Sequence, residues 1–351
     1  MSEYQYYEFQ ALDRPLSPEE QAQLRAISTR ARITATRFTN TYEWGDLKGD
    51  PRRMTERYFD AHLYVTNWGT HRLMLRLPEQ TLSLPTALPY CLGPHLDAWT
   101  TRTHILLDLT SEDEDGDWVE GADDSLAALI GVRDELATGD LRPLYLAWLS
   151  ALTAREREDD DEDEYRTCPE PPVPAGLGDL TAPQRALADF LRVDTDLLAI
   201  AAQTGPAPPK KPPKPAAESG LHTELLHRLR GTTAAPHTAP GRRTTAQLLD
   251  AAHTLRTDRR RHAEAERATA RARHLTALAD QAESVWQQIE THIATRKPSA
   301  HDRAVTLLAD LRDACADTER HTSFHQRLTR LREANRHRPG LIQRLDRRDL
   351  R

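Results

Sequence analysis

Residues 58–78, YFDAHLYVTNWGTHRLMLRLP, limit the architecture most, because they alternate with period two on both sides of a tight turn. Phe59, Ala61, Leu63 and Val65 are separated by Asp60, His62, Tyr64 and Thr66. After Asn67-Trp68-Gly69-Thr70 the alternation resumes as Leu73, Leu75 and Leu77 against Arg72, Met74 and Arg76. Successive side chains of a strand point to opposite faces, so the pattern predicts a β-hairpin with one apolar and one mostly polar face. This hairpin is the centre of an amino-terminal domain.

The flanking sequence supplies the rest of that domain. Tyr4, Tyr6 and Phe9 mark a first strand, and Ser17-Pro18-Glu19-Glu20 gives an N-cap, a first-turn proline and acidic residues that open a helix to about Ser28. Ile33 to Phe38 reads as a second strand, residues 39–51 as a loop, and Asp50-Pro51 as the cap and start of a short helix. Residues 78–94 are proline-punctuated and irregular, and the nearly all-apolar run from His104 to Leu109 is a strand covered on both faces. Amphipathic helices are expected over 125–137, 140–152, 181–192 and 194–203. The fold class that follows is α+β, an antiparallel sheet with packed helices.

Charge divides the chain further. Residues 1–205 carry 19 Lys+Arg against 37 Asp+Glu, and residues 206–351 carry 28 against 17, giving −18 and +11 within a net charge of −7. The expected division is a head over 1–204, a Pro/Lys-rich linker over 205–219 (GPAPPKKPPKPAAES), a flexible stretch over 220–243 and a basic helical tail over 244–351. Within the head, 156–174 combines an acidic run with prolines and reads as a solvated loop. No proline or glycine occurs over 244–297, which predicts one long helix; Ser299 with Asp302 reads as a capping box for the next, and Pro339-Gly340 as the end of the last. Three apolar stripes suit a small helical bundle at the carboxyl end.

Two stretches carry a resemblance. The opening MSEYQYYEFQALDRPLS with NTYEWGDLKGDPRRMTERYFDAHLYVTNWGTHRLMLRLP resembles a family of uncharacterised bacterial proteins. The tail, including VWQQIETHIATRKPSAHDRAVTLLADLRDACA and FHQRLTRLREANRHRPGLIQRLDRRDL, is similar to carboxyl-terminal segments of bacterial SWIM zinc-finger proteins. That zinc motif needs C-x-C followed by C-x-H, whereas Cys91, Cys168 and Cys315 lie far apart, so no metal is carried over. The resemblance implies no function.

Candidate sites are few. Ser111, Asp113, Asp115, Gly116 and Asp117 partly match a calcium loop, but Ala122 stands where a bidentate glutamate belongs, so the run reads as a solvated acidic turn. His321 and His325 share a helical face near Cys315 without the glutamate of HExxH, and neither a metal nor a cofactor is expected. Tyr42, Trp44, Asp46, Lys48, Asp50 and Trp68 gather aromatic and polar groups on the loops beside the hairpin and are the candidate binding residues. Arg256, Arg259, Arg260, Arg261, Arg267, Arg271 and Arg273 are the candidates for nucleic acid, with Arg260, Arg267 and Arg271 on one helical side. The pair 181–203 has helix-turn-helix length, yet its second helix lacks Lys and Arg, so it reads as packing helices.

No P-loop, GxGxxG, GxSxG or paired Cys/His nucleophile pattern occurs. The expectation is a non-enzymatic cytoplasmic adaptor that binds a protein partner through the hairpin-side loops, without a membrane segment. The alternatives are a nucleic-acid-associated factor using residues 256–273 and an enzyme with its site near Trp44–Asp50.

Overall fold

The computed structural model describes residues 4–113, 125–157, 164–205, 243–315 and 318–350. They form two compact units, Met1–Arg256 and Thr257–Arg351. The first is α+β and the second is all-helical.

The first unit is built on a seven-stranded sheet: β1 (Gln5–Gln10), β2 (Arg32–Ile33), β3 (Arg37–Tyr42), β4 (Ala61–Thr66), β5 (Thr70–Pro78), β6 (Leu96–Thr100) and β7 (His104–Glu112), in the order β2-β3-β1-β4-β5-β7-β6. Every neighbouring pair is antiparallel. The predicted hairpin is β4–β5, with Leu63 opposite Leu73 and Ala61 opposite Leu75. Its apolar face joins Leu107, Leu109 and Leu96 in the main core. There it meets α4 (Ser125–Leu129), α5 (Gly131–Ala137), α6 (Arg142–Arg157), α8 (Ala182–Phe190) and α9 (Thr195–Thr204).

The opposite face of the hairpin is also buried. Asp60, His62 and Met74 have no exposed surface, because α1 (Pro18–Ile27) and α2 (Pro51–Tyr58) bring Leu24, Met54 and Tyr58 onto Phe9, Phe38 and Phe59. Both helices begin as their sequences specify. Ser17 and Glu20 complete a capping box, and the Asp50 carboxylate accepts from the Arg52 amide at 2.9 Å.

Several boundaries differ from the sequence reading. The segment 33–38 is the ends of two strands around a turn, where the Thr34 hydroxyl accepts from the Arg37 amide at 3.0 Å, and β3 continues to Tyr42 through what reads as loop. Strand β6 is unanticipated, and α3 (Leu84–Ala87) with two short 3₁₀ turns occupies the proline-rich 78–94 stretch. The expected helix at 125–137 breaks at Ile130 into α4 and α5. Helix α6 runs to Arg157 and α7 (Glu164–Thr167) follows; residues 168–174 are irregular, as expected of a loop, but Glu170 is buried, and 158–163 lie outside the described residues. The linker after Gly205 and nearly all of 220–243 also lie outside them.

The return of the chain at Arg243 places the boundary between units later than residue 204. Residues 168–170 and 243–245 zip together: the Glu170 amide donates to the Arg243 carbonyl at 3.0 Å and the Thr245 amide to the Cys168 carbonyl at 3.0 Å. The buried Glu170 carboxylate accepts from Arg243 Nε at 2.5 Å, from Nη2 at 2.8 Å and from the Tyr145 hydroxyl. Burial, and the carboxylate beside it, push the Tyr145 phenol upward, so it stays protonated. Helix α10 (Thr245–Asp280) then sends Leu248, Leu249 and Ala252 into the main core, and Arg256 pairs with Asp194 and Asp196.

The second unit takes the rest of α10 with α11 (Ala282–Ala294), α12 (Pro298–Ala314), α13 (Thr318–Ala334) and α14 (Pro339–Arg347). The single helix expected over 244–297 is interrupted at Gln281 (φ −106, ψ 20). There a charged and alanine-rich stretch gives way to an apolar stripe, and Val285, Trp286, Ile289 and Ile293 face Leu308, Leu311, Phe324 and Leu345. The Ser299/Asp302 capping box does not form: Pro298 takes the first helical position after Lys297, and Asp302 instead accepts from Arg344 at 2.6 Å. Pro339 likewise opens α14 instead of ending a helix.

Candidate functional site

The expected binding loops meet at one end of the sheet. Gln5 pairs with Tyr42 on one side and Thr66 on the other, so the chain beyond β3 and the β4–β5 turn emerge at the same end of the sheet, on either side of β1. Asn67 fixes the turn, its amide donating to the Tyr4 carbonyl at 3.1 Å while its side-chain oxygen accepts from the Tyr4 amide at 2.9 Å. Trp68 is 41% exposed and Trp44 is 68% exposed, and the Arg30 guanidinium lies 4.8 Å from the Trp44 ring centroid.

The polar members of the expected set have internal partners. The Tyr7 hydroxyl donates to Asp46 at 2.7 Å, the Tyr64 hydroxyl to Gln5 Oε1 at 2.9 Å, and Gln5 Nε2 to the Gly45 carbonyl at 2.9 Å, where Gly45 has φ +78. Tyr42 packs edge-on to Tyr7 at 5.8 Å. Burial, and the bond to Asp46, raise the Tyr7 pKa, so Tyr7 remains a hydrogen-bond donor at neutral pH. Asp50 caps α2, and Lys48 is exposed. The loop is therefore folded down onto the sheet by its acids and tyrosines, leaving Trp44, Trp68 and Lys48 facing outward.

Beside this end lies a concave polar surface of about 800 Å³, lined by Arg30, Arg32 and Arg37, the threonines at 34, 36, 39 and 41, Tyr6 and Asn40. Two of its lining residues are held by buried Glu8, which is 0% exposed and accepts from Tyr6 at 2.9 Å, Arg37 Nε at 2.7 Å and also Gln10 at 2.8 Å. Sequence reasoning missed these arginines. The available signal was the alternation Tyr6-Glu8-Gln10, whose meaning depends on the pairing of β1 with β3 and β4.

Under the opposite face, His62 is stacked 3.9 Å from the Phe9 ring centroid, and its Nδ1 lies 2.9 Å from the Glu8 carbonyl. A ring nitrogen facing a carbonyl must carry the proton, so Nε2 bears the lone pair, and it has no hydrogen-bond partner among the described residues. Burial, with Arg72 nearby and despite the Glu8 carbonyl, lowers its pKa to about 3. The unfolded imidazole protonates near its usual value of about 6.5, so stability falls as pH drops below that point. The first unit is expected to lose about 2 kcal/mol from this group between pH 7.5 and 5. Urea unfolding of the wild type and His62→Phe at both pH values measures it; an equal pH dependence in the two proteins refutes the assignment.

The arginine series on α10 is partly neutralised. Arg256 lies in the first unit and pairs with Asp194 and Asp196, Arg261 lies 3.8 Å from Asp258, and Arg271 is held by Asp310 at 2.7 Å and Asp313 at 3.1 Å. Arg259, Arg260, Arg267 and Arg273 are exposed, and in the three-residue stripe Arg260 and Arg267 form no ion pair among the described residues, whereas Arg271 does. The second unit also has a cleft of about 490 Å³ between α11 and α13, where Arg327 covers the Trp286 ring at 4.8 Å and is itself paired with Glu283 at 2.6 Å.

His321 and His325 lie with ring centroids 4.5 Å apart, but no group of three His, Cys, Asp or Glu among the described residues is placed to hold a metal ion. Of the acidic run, Ser111 ends buried in β7 with its hydroxyl 3.4 Å from Arg192 Nη1, and Asp115, Gly116, Asp117 and Ala122 lie outside the described residues. Helices α8 and α9 pack into the main core through Leu187, Val193 and Leu197. No described helix is long and apolar enough to cross a membrane.

Compared with protein-family models, curated proteins and solved structures, the chain has no match.

Proposed function

We propose that this chain is a non-enzymatic cytoplasmic interaction protein whose head engages a protein partner at the Trp44/Trp68 end of the sheet, with the helical tail as a second docking arm. The observation that carries this reading is the presentation of two exposed tryptophans at one end of the sheet, from the strands that flank β1, while the Tyr7–Asp46 hydrogen bond fixes the loop that bears Trp44. Rigid, exposed tryptophans are the usual anchors of protein interfaces. The tail cleft beside Trp286, rimmed by Arg327, Arg330 and Arg338, supports the second arm. The exposed Arg260 and Arg267 support the alternative of a nucleic-acid-associated factor.

The test is affinity capture from the source cells with the full chain and with Trp44→Ala/Trp68→Ala. Loss of two anchors is expected to weaken a specific partner at least about 30-fold, corresponding to 2 kcal/mol. Both tryptophans are exposed, so the variant should melt as the wild type does. Equal recovery of every partner by the two proteins sinks the reading.

A further inference from the structure

The face of the sheet that carries the main core changes character at one strand boundary. On β4 that face bears Ala61, Leu63 and Val65; their register partners on β1 are Gln10, Glu8 and Tyr6, and these continue onto β3 as Arg37, Thr39 and Thr41. Arg32 lies opposite Thr39 on β2. An apolar layer thus passes into a concave polar one without a change of sheet.

We propose that this concave face binds an acidic polypeptide segment. The inference rests on the head being a protein-interaction domain and names the chemistry of its partner. Residues 1–205 carry a net charge of −18, yet the lining of this surface gathers Arg30, Arg32 and Arg37 and includes no Asp or Glu. Buried Glu8 accepts from three donors, one of them Arg37 Nε, so Arg37 is held in place beside Arg30 and Arg32. Arg32 is exposed and forms no ion pair among the described residues, and Arg30 is braced against the Trp44 ring. Planar guanidinium forks match carboxylates, and the exposed hydroxyls of Thr36 and Thr41 add donors at the same surface.

A concavity of about 800 Å³ exceeds what a single small anion fills. Two features favour peptide over single-stranded nucleic acid. The Tyr6 ring is buried and Arg30 covers Trp44, so the surface lacks the row of open aromatic platforms on which successive bases stack. The acidic remainder of the head also repels a long polyanion while tolerating a short acidic segment.

The test is fluorescence anisotropy on the full chain across a salt series. The probes are a short fluorescein-labelled peptide alternating Glu and Ser, its Gln counterpart, and labelled oligo-dT. The acidic peptide is expected to bind, the Gln peptide to bind at least about tenfold more weakly, and Arg30→Glu/Arg32→Glu to weaken the acidic peptide about 10- to 100-fold. Arg30→Gln/Arg32→Gln, which is milder to the fold, should weaken it about tenfold. Arg260→Glu/Arg267→Glu, on the tail, should leave it unchanged. A change below about threefold in both arginine-pair variants on the head overturns the proposal. So does oligo-dT binding that those variants weaken as strongly as the peptide. If the peptide result fails while Trp44→Ala/Trp68→Ala still loses a captured partner, the acidic chemistry is wrong and the interaction reading stands. The reverse outcome removes the tryptophan reading alone.

Discussion

Replacing Asp60 with alanine is expected to destabilise the first unit by about 3–5 kcal/mol, the cost of leaving buried cations without their counter-ion. Asp60 has no exposed surface and accepts from the Leu12 amide at 2.6 Å, the Asp13 amide at 3.0 Å, and Arg76 at 2.7 Å and 3.1 Å. Arg133 approaches it at 4.0 Å while bonding Asp13 at 2.6 Å and the Arg76 carbonyl at 2.8 Å. Burial pushes the Asp60 carboxyl upward, but the bonds from Asp13, Arg76 and Leu12 together outweigh it and hold the group below the usual carboxylate range. Removing the carboxylate leaves Arg76 buried without its counter-ion beside Arg133, which keeps Asp13, and orphans the Leu12 and Asp13 amides. The contrast is Arg14→Ala, which breaks an exposed pair with Glu20 and is expected to cost below about 1 kcal/mol. Urea unfolding of both variants decides it, and a loss below about 1 kcal/mol for Asp60→Ala would show that the site relaxes around the missing charge.

The second large effect is expected at Glu170. Glu170→Ala orphans the Tyr145 hydroxyl and the Arg243 guanidinium at once, at a cost of about 3 kcal/mol. The loss should be local to the return of the chain: amide exchange should accelerate from Thr245 to Ala252, where α10 joins the main core, and stay unchanged in the bundle of the second unit. Unchanged exchange over 245–252 would mean that Leu248, Leu249 and Ala252 hold the helix without the ion pair.

The sequence revealed those features that one strand or one turn can encode. The alternation around Trp68, the cap at Ser17 and the proline after Asp50 each determine a local element, and each element formed. What it hid depends on pairing. Arg32 and Arg37 look like ordinary loop and strand residues until the register of β1 places Glu8 between Thr39 and Leu63. The expected loop residues Trp44, Trp68, Lys48, Asp46 and Asp50 are all exposed, but the carboxylates of Asp46 and Asp50 already accept hydrogen bonds, from Tyr7 and from the start of α2. Composition cannot tell a ligand-binding carboxylate from one that fixes a loop. The break at Gln281 was hidden for a related reason: glutamine does not break helices, and only the direction in which Trp286 and Ile289 must face calls for it.

The zipper between 168–170 and 243–245 has a bearing on how this chain can vary. Gly205 and Arg243 both belong to the first unit, so the residues between them are a closure with two fixed ends, not a tether between bodies. The two hydrogen bonds of the zipper set the start of α10 against residues 168–170, so a slip of either segment by one residue would break both at once.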